Sequence, residues 1–274
     1  MIELIATGPL ATVQDLGRPG YQHLGVGRSG AADQRAHRLA NRLVGNPDTA
    51  ATVEFTLGGL VARLLAPATI ALTGAECAGA PAWNAALTLP AGRRLVLGPA
   101  GSGLRSYLAV RGGIAAEPVL GSRATDLLSG LGPPALAPGT MLAIGSETAG
   151  EPSGELVPQP PATRAAIRVL PGPRADWFAD PESLFAQAWT VQPDSNRIGI
   201  RLASEPLRRS RSGEMPPEPM LPGAIQVPPS GLPIVLFRDA PVTGGYPVIG
   251  VVAAAELDRI GQLRPGDALR FAAG

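Results

Sequence analysis

The chain has 274 residues, a formal net charge of +1 and 23 basic residues, every one an arginine. Without lysine it cannot form a Schiff base, anchor pyridoxal phosphate or grip phosphate through a P-loop. One cysteine, Cys77, and two histidines, His23 and His37, exclude an intrachain disulfide, a Cys-x-x-Cys site and a His-Glu-x-x-His zinc motif, and the near-zero charge gives no reason to expect nucleic-acid binding.

The N-terminus, Met1-Ile-Glu-Leu-Ile-Ala-Thr-Gly-Pro9, has no basic region and no long apolar stretch, so no signal peptide is expected. No run of 18 apolar residues exists, so no spanning helix is expected and a cytoplasmic location is the default. Further along, 35 glycines and 30 prolines punctuate short apolar, β-branched runs. The pattern predicts a helix over 33–44, with Ala36, Leu39, Ala40, Leu43 and Val44 on one face and Gly45 as its left-handed stop. It predicts strands over 60–65, 69–72, 94–97, 106–110 and 168–170. Asp180 before Pro181 reads as the cap of a second helix running to about Trp189. Strands follow over 234–237 and 248–252, then a weaker helix over 253–263. The turn Pro265-Gly266-Asp267 feeds a last strand at 268–271. Many short strands with few helices predict a mainly β sandwich or barrel. The Pro-, Gly- and Ser-rich stretch within 147–163 places a boundary, giving domains over 1–150 and 164–274 with a linker at 151–163.

Three polar stretches are candidates for chemistry. The first is Thr12-Val-Gln-Asp-Leu-Gly-Arg-Pro-Gly20 with Gly25-Val-Gly-Arg-Ser-Gly-Ala-Ala-Asp33, which gathers Gln14, Asp15, Arg18, Arg28, Ser29 and Asp33 around flexible backbone. Read from spacing alone, it is a capped helix behind a structural loop. The second is Gly121-Ser-Arg-Ala-Thr-Asp126, where Arg123 and Asp126 either pair with each other or bind a carboxylate. The third runs from Gly223-Ala-Ile-Gln-Val-Pro-Pro229 through Arg238 and Asp239 to Thr243-Gly-Gly-Tyr-Pro247. It places strand-end polar groups beside a glycine turn, or else a hairpin with a satisfied Asp cap. Arg201, Arg208, Arg209 and Arg211 form a local basic run, read as a solvated face with a mobile loop that meets phosphate as the alternative, and Cys77 reads as a small buried hydrophobe.

In order along 12–271, these stretches, together with Ala40-Asn-Arg-Leu-Val-Gly-Asn46, Glu54, 107–113 and Asn196-Arg-Ile-Gly-Ile-Arg-Leu202, resemble the biotin-dependent carboxyltransferase-like family, also known by its allophanate hydrolase members as their second subunit. Its members include the C subunit of the ATP-dependent 5-oxoprolinase, the sporulation-kinase inhibitor antagonist and the B half of the urea carboxylase carboxyltransferase domain. The resemblance implies two cyclophilin-like β-barrel subdomains. It implies a partner, the family's subunit 1 (the carboxyltransferase A-half homologue), with a cleft formed between them. In the oxoprolinase it implies the A subunit too. The implied activity is ATP-dependent opening of 5-oxoproline to glutamate by a heteromeric hydrolase whose C subunit is inactive without its partners. The alternatives are a regulatory protein that sequesters a kinase inhibitor, and a component of a urea or allophanate amidolyase or biotin-dependent carboxyltransferase.

That chemistry calls for phosphate binding, carboxylate binding and polarisation of an amide or lactam carbonyl. On the matching positions, Arg18 and Arg123 are candidates for anions and Ser29 for substrate or phosphate. Asp33, Glu54 and Asp239 are candidates for proton transfer or for the Mg²⁺ that accompanies ATP. Gln226 and Tyr246 are candidates for hydrogen bonds to substrate. For each of these the alternative is maintenance of the fold, the expected role for Asp15 and the favoured one for Glu54. No resident metal site is read from this chain, ATP and Mg²⁺ are expected with a partner's help, and any biotin must arrive on another polypeptide. The chain departs from the family's pattern at Ala124, at Gly132-Pro-Pro134, at Pro217 and at Pro241-Val242 before Thr243, where hydroxyls and an amide are lost.

Overall fold

The structure, a computed structural model, describes residues 1–158, 166–211, 213 and 215–274. It divides into two compact units, Met1–Arg18 with Ser29–Pro161, and Pro19–Arg28 with Ala162–Gly274. The segment Pro19–Arg28 thus groups with the second unit, although it precedes most of the first in sequence. The stretch expected as a linker has neither helix nor strand as far as residue 158; residues 159–163 lie outside the described residues. Its described part is fastened to the first unit, with Ser153 N–H donating to Leu43 O at 2.8 Å and Val157 N–H to Asn84 O at 2.9 Å.

In chain order the first unit contains β1 (Ile2–Thr7), β2 (Ala11–Gln14), α1 (Gln34–Leu43), β3 (Thr52–Thr56), β4 (Leu60–Leu64) and β5 (Ala68–Gly74). It continues with β6 (Ala86–Leu89), β7 (Arg94–Val96), β8 (Arg105–Val110), β9 (Gly112–Ala115) and β10 (Met141–Glu147). These strands form two five-stranded sheets, ordered β7-β4-β1-β10-β9 and β2-β3-β8-β5-β6. One apolar core lies between them: Leu4, Leu60, Leu64 and Leu142 from the first sheet meet Val53, Phe55, Ile70 and Leu108 from the second. The sequence shows why. In β4, Leu60, Ala62 and Leu64 are buried while Arg63 faces solvent, the period-two pattern of a half-covered strand. β8 is buried along its whole length because it is covered on both faces. Leu108 and Val110 enter the main core, while Tyr107 and Ala109 pack under Ala36, Ala40 and Leu43 of α1.

α1 has the expected ends. Asp33 Oδ1 accepts the Ala36 N–H at 2.9 Å. At the other end Gly45 takes φ 73°, Gly45 N–H donates to Arg42 O and Asn46 N–H to Asn41 O, the paired bonds of a Schellman stop.

The second unit contains β11 (Ile167–Pro171), α2 (Ser183–Ala186), β12 (Ala188–Val191), β13 (Gly199–Ala203), β14 (Glu218–Pro219) and β15 (Ala224–Gln226). Next come β16 (Ile234–Leu236), β17 (Thr243–Gly244), β18 (Val248–Val252), α3 (Leu257–Ile260) and β19 (Ala268–Ala273). Seven of these strands close a barrel, β11-β18-β15-β16-β13-β12-β19, sealed by the parallel pairing of β19 with β11; β14 and β17 form a separate two-stranded ribbon.

The helix expected from Asp180 to about Trp189 is a single turn that ends at Ala186. Trp189 instead enters strand β12 with its side chain fully buried, and its indole N–H donates to Leu184 O at 2.9 Å. Burying an indole in the barrel outweighs a helix propensity of a few tenths of a kcal/mol per residue (about 0.7 at most). The weaker helix expected over 253–263 reduces to one 3-10 turn, Ala254–Glu256, followed by α3. Among the described residues no helix is long and apolar enough to cross a membrane.

Candidate functional site

The loop after β2 is held by Asp15. Its Oδ1 accepts the Gly17 N–H at 2.8 Å and the Ser122 hydroxyl at 2.6 Å, and its Oδ2 accepts the Arg123 N–H at 2.6 Å. Ser29, buried and left-handed at φ 52°, donates its hydroxyl to Thr125 O at 3.1 Å. Arg18 is 1% exposed and donates to two carbonyls, from Nη2 to Ala124 and from Nε to Val119 at 3.4 Å. Its Nη1 is buried and has no partner among the described residues. Arg123 does not meet Asp126. Arg123 bonds Ala116 O at 2.8 Å and pairs with Glu147 at 2.9 Å, while Asp126 Oδ1 accepts the Leu128 and Ser129 N–H groups.

A second network links Glu54, Tyr107 and the start of α1. Glu54 Oε2 accepts the Tyr107 hydroxyl at 2.7 Å and the Ala32 N–H at 2.8 Å, and Glu54 Oε1 stands 3.6 Å from Arg105 Nε. The Tyr107 oxygen in turn accepts the Asp33 N–H at 2.7 Å. Burial, reinforced by the neighbouring Glu54 charge, raises the Tyr107 pKa well above its ordinary value, so the phenol remains a donor. Asp33 and Glu54 therefore both secure the entry of the chain into α1.

Asp239 lies elsewhere, in the second unit. Arg197 grips it with both edges of its fork, Nε to Oδ2 at 2.8 Å and Nη2 to Oδ1 at 2.9 Å, with side-chain exposures of 1% and 0%. Three carboxylates proposed for proton transfer or Mg²⁺ thus sit on structural donors. Among the described residues no group of three His, Cys, Asp or Glu could hold a metal ion.

Gln226 and Tyr246 do come together. Gln226 ends β15, and its amide donates to Tyr246 O at 3.4 Å and faces the Met220 sulfur at 3.4 Å. The next residue, Val227, donates its N–H to Pro247 O at 3.1 Å, tying the end of β15 to the entry of β18. Tyr246 is 44% exposed, so its ring fronts solvent beside the buried amide. The glycine turn leaves room for this amide: a Cβ on Gly244 would stand 2.4 Å from Gln226 Nε2 and displace it.

One residue of this cluster falls outside the sequence reading. Arg209, assigned there to a solvated face, is half-buried and donates from Nη2 to Val227 O. Its backbone is pinned by a bridge to Phe178. Burial lowers its pKa, partly opposed by the charge Tyr246 can carry. Neighbouring Arg201 and Arg211 pair with Asp194 and Asp176. Local sequence carries no signal that separates Arg209 from them, because the separation comes from which strand end each reaches.

Comparison with known proteins then places the chain among relatives. A family model described as the carboxyltransferase domain, subdomain A and B, matches residues 24–273. The chain is 39% identical over 281 residues to the C subunit of the Escherichia coli 5-oxoprolinase, covering 99% of this chain and 90% of that protein. It is 32% identical over 285 residues to the protein of the same name from Haemophilus influenzae, covering 100% and 91%. Among solved structures, the K. lactis urea amidolyase superposes with a TM-score of 0.92 at 31% identity, covering 99% of this chain and 18% of that one.

Proposed function

Because the chain belongs to the carboxyltransferase domain family of subdomains A and B, we propose that it is the C subunit of an ATP-dependent 5-oxoprolinase, which opens 5-oxoproline to glutamate with hydrolysis of ATP. The observation that carries this is the match to two proteins of that name across about nine-tenths of their length. The urea amidolyase likeness extends over 18% of that chain and supports the shared fold more than the shared substrate.

The geometry is consistent with a subunit that binds and orients substrate and leaves ATP and Mg²⁺ to its partners, the subunit 1 homologue and the A subunit of the oxoprolinase, in the cytoplasm. Asp33, Glu54 and Asp239 are held by backbone N–H groups, a phenol and arginines, which leaves them poorly placed to shuttle protons. Gln226 and Tyr246 are the candidate substrate contacts, an amide donor for a lactam carbonyl and an exposed ring to cover it. Arg18, Arg123 and Ser29 shape the loop of the first unit.

The test is reconstitution. The purified chain, combined with its subunit 1 homologue and the A subunit, is expected to hydrolyse ATP only when 5-oxoproline is added, and the chain alone to hydrolyse none. ATP hydrolysis that responds to urea and ignores 5-oxoproline would move the assignment to the amidolyase reading.

A further inference from the structure

In the second unit a single guanidinium stands at the open end of β15. Arg209 is half-buried, and its hydrogen bond is to a neutral carbonyl, Val227 O. No described carboxylate lies within ion-pair distance of it, whereas Arg174, Arg197, Arg201, Arg211 and Arg238 of the same unit each have one. A partly buried cation that meets no described counter-charge gains from a ligand that supplies one. Burial already lowers the Arg209 pKa, the mark of its desolvation.

What surrounds Arg209 defines the ligand. Val227, which fixes the guanidinium, directly follows Gln226 in the chain. The Gln226 amide donates to the Tyr246 backbone carbonyl at the same strand end, and the exposed Tyr246 lies close enough for the charge it can carry to act on Arg209. A cation, an amide and an aromatic face together suit a small, flat, anionic amide. The Arg fork matches two carboxylate oxygens in one plane, the Gln amide matches a carbonyl, and the ring covers the flat face. The single arginine is a poor match for a triphosphate, which takes several cations or a glycine-rich cradle of N–H groups.

We infer that Arg209 binds the carboxylate of a carboxylated lactam whose ring carbonyl is met by Gln226 and whose face is covered by Tyr246. This rests on the 5-oxoprolinase reading for the identity of the lactam, while the binding geometry can be tested without turnover. Arg209 is thereby a specificity-determining residue: it separates a lactam acid from the same ring without the acid.

The experiment is calorimetric titration of the full chain with 5-oxoproline, with 2-pyrrolidinone, which lacks the carboxylate, and with inorganic phosphate. Alongside wild type run Arg209→Gln, Arg209→Lys and a neighbouring control, Arg208→Gln, with unfolding curves to confirm that each is folded. Wild type is expected to bind 5-oxoproline at least roughly 10-fold more tightly than 2-pyrrolidinone, and Arg209→Gln to lose roughly 10- to 100-fold of that affinity. Arg209→Lys should recover only part, and Arg208→Gln should match wild type. In the reconstituted complex the same loss is expected in KM for 5-oxoproline with KM for ATP unchanged. Equal binding of both lactams, no response to either, or loss of phosphate binding in place of lactam binding overturns the inference. A complex inactive toward 5-oxoproline whose C subunit still loses lactam-acid affinity in Arg209→Gln would overturn the functional reading alone.

Discussion

Arg197 and Asp239 form a fully buried, two-pronged ion pair, with Nε to Oδ2 at 2.8 Å and Nη2 to Oδ1 at 2.9 Å. Asp239 N–H also donates to Arg197 O at 2.9 Å, so backbone and side chain both tie the segment after β16 to the one before β13. Breaking such a pair leaves an uncompensated buried charge, which costs about 3–5 kcal/mol. Asp239→Asn should lower the urea midpoint accordingly, and adding Arg197→Met should restore part of it. An Asp239→Asn protein of unchanged stability but no turnover in the complex would instead make Asp239 a catalytic residue.

The Asp33 carboxylate at the start of α1 gives a second separation of roles. Asp33→Ala should cost about 1 kcal/mol in thermal or urea unfolding. Asparagine caps as well as aspartate, so Asp33→Asn should keep both stability and 5-oxoproline-dependent ATP hydrolysis. Loss of hydrolysis in a stable Asp33→Asn complex would assign the residue to proton transfer.

His37 makes stability depend on pH. Its Nε2 meets Asp48 O and its Nδ1 meets Thr52 Oγ1, each at 3.0 Å, and burial lowers its pKa from 6.5 to about 4. Above pH 6.5 both folded and unfolded states hold it neutral. As pH falls from 6.5 toward 4 the unfolded chain takes up a proton that the folded chain refuses, so stability drops, by about 3 kcal/mol in all for this group. Unfolding free energies measured between pH 7 and pH 4 should show this slope. His37→Gln should flatten it, and an unchanged slope in that variant would place the acid sensitivity elsewhere.

Gly244 tests the placement of the Gln226 amide. A Cβ there meets Gln226 Nε2 at 2.4 Å, the far end of a side chain that can move. Gly244→Ala should therefore cost about 1–3 kcal/mol while displacing the amide. The expected readout is a raised KM for 5-oxoproline with an unchanged KM for ATP. An unaltered KM would show that Gln226 does not touch substrate.

Much of the architecture was legible locally. Short apolar runs between turn residues placed β4, β8, β11, β16, β18 and β19. In β4, β11 and β19 burial also follows the two-residue period of the strand itself. α1 was legible with both ends, since its cap residues act within a turn of themselves. The motifs of 12–33, 121–126 and 223–247 carried the family. The second helix was not legible, because Asp180-Pro181 starts a turn whose continuation depends on the barrel that takes Trp189 into β12.

Residue order alone thus establishes a mainly β chain without lysine chemistry and its membership of one family. Folding in three dimensions settles which polar side chains are available. Asp239 is held by Arg197, 42 residues away, and Glu54 by Tyr107, 53 residues away, pairings that no local spacing encodes. Arg209 and Arg211 look alike in sequence. Arg211 faces Asp176 and Arg209 reaches the end of β15, because a buried charge is defined by what the fold brings to it and not by its neighbours along the chain.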